Sequence, residues 1–232
     1  MSANQTGIYR TKVLKLSPEQ DALFREPVER LRIRQITVEK YQQEIMELLC
    51  TLDLHKEFAG AISAVRGNSA AEWLVRRHIG ACRYTVQVYG VEAGEVHPPH
   101  HHHNLISTQM VLEGCVHLRA YERVGRNVNG QLLLRLVRDD RLGPGDVFQV
   151  SEWQCNAHWF GAVDQAALIF SVDARGFEQK TFDTPDCTGF GRRYLDPTRC
   201  ESEGVIVCES LDREEAMRRF RHRPLSSFSG MF

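Results

Sequence analysis

The sequence predicts a mainly β protein, an antiparallel sandwich or barrel with helices before it and a short extension after it. Between about residues 81 and 175 the chain falls into short runs rich in β-branched and apolar residues, among them "CRYTVQVYGVEAG", "STQMVLEGCVHLRAYERV" and "AALIFSVDA". Gly, Pro, Asn and Asp separate these runs, and no helical period lies between them, which favours antiparallel strands over alternating βα units. Ahead of them, from Ser17 to about Glu72, apolar residues recur at helical spacing instead.

The helical part opens at "SPEQDALFREPVERLRIR", where a serine cap precedes a proline at the first helical position. In "TVEKYQQEIMELLCTLDL", Val38, Tyr41, Ile45, Leu48 and Leu49 form one stripe, so two or three helices should pack on something else. Within the β part, "NVNGQ" reads as a hairpin turn, since Asn-Gly tolerates positive φ. After Arg175 the pattern weakens: "GFEQKTFDTPDCTGFGRRYLDPTRCESEG" reads as loop, "VIVCES" as one more strand and "DREEAMRRFRHR" as a charged helix. The expected organisation is a helical extension over 1–80, a barrel over 81–175, and a C-terminal loop, strand and helix over 176–232 packing on the barrel.

A chain of 232 residues can bury a full core. Its 29 basic and 30 acidic residues offer no global field for nucleic acid or an anionic membrane, so the expected partners are small molecules or proteins. No apolar stretch approaches the roughly 20 residues of a membrane helix, and the first residues lack the apolar core of a secretory signal, which points to the cytoplasm. The seven cysteines include no CxxC pair, which argues against a disulfide framework or zinc ribbon, so most are expected reduced and buried.

"HPPHHHHNLIS", residues 97–107, is the chemical signal. A metal needs imidazoles on one face, and in an extended segment residues i and i+2 share a face. The run therefore offers His100 with His102, or His101 with His103. His158 in "CNAHWFG" is the candidate third ligand, because it follows a "GPGD" turn and a strand that can return beside the run. His55, His78, His97, His117 and His222 have no comparable setting and are expected to be surface or hydrogen-bonded residues.

These residues resemble the cupin family. "GEVHPPHHHHNLISTQMVLEG" looks like the first cupin motif, in which a glycine, a His-x-His pair, a carboxylate position and a second glycine follow at fixed spacing. Aligned on Gly94 and Gly114, that spacing selects His100 and His102 and puts Ser107 where the carboxylate would stand. "GPGDVFQVSEWQCNAHWF" resembles the second motif, with His158 as the ligand, although Ser151 replaces the usual proline and the approach to the histidine is longer. The resemblance covers about residues 82–175 and implies a cupin-type antiparallel β-barrel, or jelly roll, with the metal in its mouth.

Without a carboxylate at Ser107, three neutral imidazoles leave the ion's charge for exogenous ligands, which favours Fe(II) and oxygenation, with Mn, Ni or Zn as other occupants. The three-histidine pattern is similar to that of thiol dioxygenases and of certain diketone and ring-cleaving dioxygenases. "VHLRAYERV", "NAH" and "GRRYLDP" add to the likeness with the thiol enzymes, which implies conversion of a thiol to a sulfinate with dioxygen as co-substrate. Around the metal, Tyr121 and Gln109 are the catalytic candidates and Arg83, Arg119 and Trp153 the substrate-binding ones, with Tyr84, Gln87 and Trp159 also on elements expected to line the mouth; strand parity decides which face inward. Asn156 and Ser107 are expected to support the ligands. A metal-dependent lyase, isomerase or ligand sensor is the competing reading, and a homodimer formed by pairing sheet edges is the expected assembly.

Overall fold

The structure is a computed structural model describing residues 16–66, 70–177, 191–200, 204–223 and 225–228. Four helices come first: α1 (Pro18–Arg32), α2 (Val38–Thr51), α3 (Leu54–Glu57) and α4 (Ala59–Val65). The cap expected for α1 is a reciprocal box in which Ser17 Oγ accepts from the Gln20 N–H and Gln20 Oε1 accepts from the Ser17 N–H. Eleven strands follow, β1 (Ala71–Ile79), β2 (Cys82–Val91), β3 (Val96–His103), β4 (Leu105–Glu113), β5 (Val116–Arg126), β6 (Leu132–Leu142), β7 (Val147–Val150), β8 (Ala157–Ala162), β9 (Ala167–Arg175), β10 (Gly191–Cys200) and β11 (Val205–Leu211), before helix α5 (Arg213–Phe220).

The strands form a five-stranded sheet, β1-β2-β9-β4-β7, and a closed ring, β10-β11-β6-β5-β8-β3, giving the mainly β barrel expected. Among the described residues, three large apolar cores and a small cluster of Ala120, Val150 and Cys155 hold them. In the first, Phe24, Val28, Tyr41 and Ile45 of the helices cover one face of the open sheet through Tyr84, Val86, Val88 and Phe170. Phe58 bridges them, with its ring centroid 5.0 Å from that of Phe170 and 6.4 Å from that of Phe24. Each such ring, fully buried, contributes about 2–3 kcal/mol. The second core, around Phe148, Phe160 and Ile169, lies between sheet and ring, and the third, around Tyr121, Trp159, Leu195 and Ile206, fills the ring.

Two boundaries differ from the expectation. The first strand begins at Ala71, inside the stretch read as helical extension, because β1 supplies the sheet edge against β2. The segment read as loop before "VIVCES" contains β10, which pairs with both β3 and β11, so the C-terminal part completes the ring rather than only packing on it. The rest of that stretch, 178–190 and 201–203, lies outside the described residues. Cys82, Cys155 and Cys208 are buried, Cys115 is half-buried and Cys50 exposed, and all five are free thiols.

"NVNGQ" does join β5 to β6, with the left-handed conformation on Gly130 at φ +75°. Gly114, at φ +80°, is more constrained, since a Cβ there would lie 2.4 Å from the Ala166 carbonyl oxygen. Gly114→Ala is expected to cost at least about 2 kcal/mol, seen as a lower urea midpoint with an unchanged slope.

Candidate metal centre

The centre is built where β3 meets β8. The ladder between them runs Val96 to Gly161, His97 to Phe160 and then His100 to His158, so β3 carries one extra residue between His97 and His100. Pro98 and Pro99 occupy this bulge, and neither has an N–H to give to the ladder. The extra residue resets the alternation, turning His97, His100 and His102 to the side of β3 that faces the open sheet. Gly161 permits the close approach, because a Cβ there would meet Glu95 O and Val96 Cγ2 at 2.8 Å.

His100, His102 and His158 come together as the sequence suggested. All three are buried, and one ligand atom from each lies within 4.8 Å of the others. Ring centroids are 4.4 Å apart for His100 and His158 and 4.8 Å for His100 and His102. His101 and His103 have the opposite parity, pairing in register with Arg193 and Gly191 of β10, and His101 borders a separate small cavity. His100 Nδ1 lies 2.6 Å from the Pro98 carbonyl oxygen, to which it donates, which leaves Nε2 as a bare lone pair; that atom is buried with no hydrogen-bond partner among the described residues. His158 Nδ1 faces the Asn156 carbonyl oxygen at 3.3 Å in the same way. Burial, followed by the positive field of Arg192, lowers the pKa of His158 to about 3 and that of His100 well below the usual value. Burial, then His158, does the same for His102. Neutral imidazoles with unpartnered, buried nitrogens are the donor set a divalent ion requires.

Asn156 holds the centre from behind: its side-chain oxygen accepts the His102 backbone N–H at 2.8 Å, and its Nδ2 reaches the Glu152 carbonyl oxygen at 3.4 Å. Asn156→Ala is expected to weaken metal affinity about tenfold, measured by chelator competition.

A cavity of about 280 Å³ adjoins the histidines, bounded by His102 and His158 on one side and by the open sheet on the other. Gln109 lines it and accepts the Tyr89 hydroxyl hydrogen bond. Ser107 lines it as well and donates to Asp173 Oδ1 at 2.7 Å. The position at which a carboxylate was lacking thus has one directly across the ladder, on β9. Asp173 is committed elsewhere: Ser171 (3.0 Å), Thr85 (3.2 Å) and Arg175 (2.7 Å) also donate to it. Although burial opposes the charge, Arg175 and these hydrogen bonds keep the Asp173 pKa below the usual carboxylate value.

Four expected participants stand elsewhere. Tyr121 and Arg119 face away from His158, because the residue between them, Ala120, is the one in register with it. The Tyr121 hydroxyl accepts from Trp159 Nε1 at 2.9 Å inside the ring core, and Arg119 pairs with Asp139 at 3.1 Å and lies over the Trp159 ring. Trp153, 47% exposed, sits on the loop between β7 and β8, outside the cavity. Arg83 lies opposite Arg175 at the end of β2 and does not line the cavity. Of the other residues considered, Gln87 lines it, Tyr84 turns its hydroxyl to Asp21 beneath the helices, and Trp159 belongs to the ring core.

The sequence reading missed Tyr89, His97, Asp173, Arg175 and Arg192 on the cavity wall. For Asp173 and Arg175 a signal existed: in "SVDAR" polar and apolar residues alternate, which marks a strand with one polar face. For Arg192 the signal was only its place in "GRRYLDP", which did not put it opposite His102; that position depends on the pairing of β10 with β3.

No protein-family model matches the chain, and no curated protein does. Among solved structures, a procruciferin, the 11S globulin from Brassica napus, aligns with a TM-score of 0.32 at 11% identity over 49% of this chain and 22% of that one. An oxalate oxidase in complex with glycolate aligns with a TM-score of 0.30 at 14% identity, over 44% of this chain and 45% of that one. KdgF from Halomonas sp. gives a TM-score of 0.31 at 18% identity, over 45% and 78%. The match thus spans less than half the length of the first two proteins.

Proposed function

We propose that the chain is a mononuclear metalloenzyme of the cupin type in which His100, His102 and His158 hold Fe(II), and that it oxygenates a small anionic substrate with dioxygen. The observation that carries this reading is the buried, partnerless Nε2 of His100 beside two further neutral imidazoles at the wall of a cavity. Bound there, ferrous iron would supply Lewis acidity and open coordination positions for substrate and dioxygen.

The chain's own residues shape what can enter. Asp173 and Arg175 cancel as an ion pair, whereas Arg192 at the rim adds a positive charge, so the cavity attracts anions. Phe160, Leu105 and Trp73 make its apolar wall and exclude water from the substrate body. Tyr89, by donating to Gln109 Oε1, turns the Gln109 amide so that its N–H donors remain available to the cavity. A thiol is the substrate class that the likeness to thiol dioxygenases favours.

The test is metal analysis of protein purified without a histidine tag, followed by oxygen uptake on anaerobically iron-loaded protein offered small thiols, diketones and hydroxylated aromatic acids. Near-stoichiometric iron with substrate-dependent oxygen consumption is the expected result. Bound metal with no oxygen consumption across the panel would replace the oxygenase by a lyase, isomerase or ligand sensor built on the same three histidines.

A further inference from the structure

Arg192 borders more than the metal cavity. It also lines a groove of about 600 Å³ between β3 and α5 and another of about 650 Å³ along β10, the end of β11 and the start of α5. Arg213, the first residue of α5, lines both grooves. Both arginines are exposed, and among the described residues neither has a carboxylate within ion-pair distance. Their neighbours are committed: Arg221 holds Glu95 at 2.7 Å and Arg219 holds Asp196 at 2.5 Å. Of the acidic groups nearby, Asp212 is occupied in capping α5, which leaves Glu214 as the opposing charge. Two uncommitted guanidinium groups on adjacent walls of a cleft suit an oxyanion, which planar N–H forks bind bidentately.

The cavity and the first groove share a wall at His97, wedged between the rings of Tyr89 and Phe160 with centroids 5.5 and 4.5 Å away. At about 280 Å³ the cavity falls at the small end of ligand sites, and the adjoining groove more than doubles the space. We propose that Arg192 and Arg213 form an anion anchor that runs from the edge of the metal cavity into the adjoining grooves, and that the substrate is an elongated molecule whose head enters the cavity while a carboxylate or phosphate at its other end rests on the two arginines. The head-group assignment rests on the metal-centre reading; the anchor needs no metal.

Two titrations test it. Co(II)-loaded protein is titrated with monocarboxylates and with α,ω-dicarboxylates of matched chain length, read by the visible cobalt bands. Metal-free protein is titrated calorimetrically with inorganic phosphate and pyrophosphate. The longer dicarboxylates are expected to bind about tenfold more tightly than their monocarboxylate counterparts, and Arg213→Gln to remove most of that advantage at unchanged cobalt content, whereas Arg192→Gln, which also borders the cavity, should weaken both series. Pyrophosphate binding to metal-free protein should fall by a similar factor in either variant, with Arg213→Lys retaining part of it. Equal affinity for both carboxylate series, or affinities indifferent to both substitutions, would overturn the anchor. Arginine-dependent pyrophosphate binding in a protein that takes up no cobalt would support the anchor and remove the metal-centre reading, so the two ideas fail separately.

Discussion

His158→Ala is expected to reduce bound metal from near one ion per chain to less than about a tenth of that, with His100→Ala and His102→Ala behaving alike, because two imidazoles cannot complete a site that three define. The accompanying stability change separates a ligand from a structural histidine. Without metal, the buried Nε2 of His100 has no partner among the described residues, an arrangement that costs about 1–3 kcal/mol. Removing the ring relieves that cost but leaves a void of comparable penalty. Metal-free His100→Ala should therefore melt close to the metal-free parent. With metal at 1,000 times its dissociation constant, the parent gains about 4 kcal/mol and the variant nothing. Thermal melts with and without metal, beside elemental analysis, read both effects. Retention of full metal occupancy in all three variants would sink the assignment.

Acidification should unfold the metal-free protein well before its carboxylates titrate. His97 and His158 are held neutral, with folded pKa values of about 3, largely by burial, whereas in the unfolded chain a histidine titrates near 6.5. Below about pH 6.5 the unfolded state thus binds protons that the folded state refuses, and stability falls as pH falls, until the folded values are reached near pH 3. Each such histidine contributes a slope of about 1.4 kcal/mol per pH unit across that window. His97 is the informative one, since it lies beside the centre without belonging to the ligand group. His97→Phe should flatten the slope by one histidine's share in urea titrations at pH 4 to 7. Bound metal should raise stability by a near-constant amount across this window, since the ligand nitrogens of the folded protein are already unprotonated there.

Much of this arrangement was legible in the chain, and the reasons differ from residue to residue. The helices announced themselves through the Ser17 cap and the Tyr41, Ile45 and Leu49 stripe, because one face of each is solvated and the period survives. β2 gave no such alternation: Tyr84, Val86 and Val88 meet the helices while Tyr89 and Val91 face the interior, so both sides are largely apolar. That ambiguity is why Arg83 could not be assigned a side, and the first half of β5, buried on both faces, left Arg119 and Tyr121 in the same position. The register at His100 was readable only from the likeness to a spaced motif, since alternation alone allows either histidine pair. The place of Arg192 was unreadable for another reason, as it depends on a pairing between strands distant in the chain.

The Pro98–Pro99 bulge bears on how this centre tolerates changes in chain length. In most strands, gaining or losing one residue would swap every side chain to the wrong face and erase a ligand pair. Here the neighbouring residues are four histidines in a row, so either phase of the strand still presents two imidazoles spaced by one residue to the cavity. The run works as a sliding scale, in which a local insertion or deletion changes which histidines serve without emptying the position they serve.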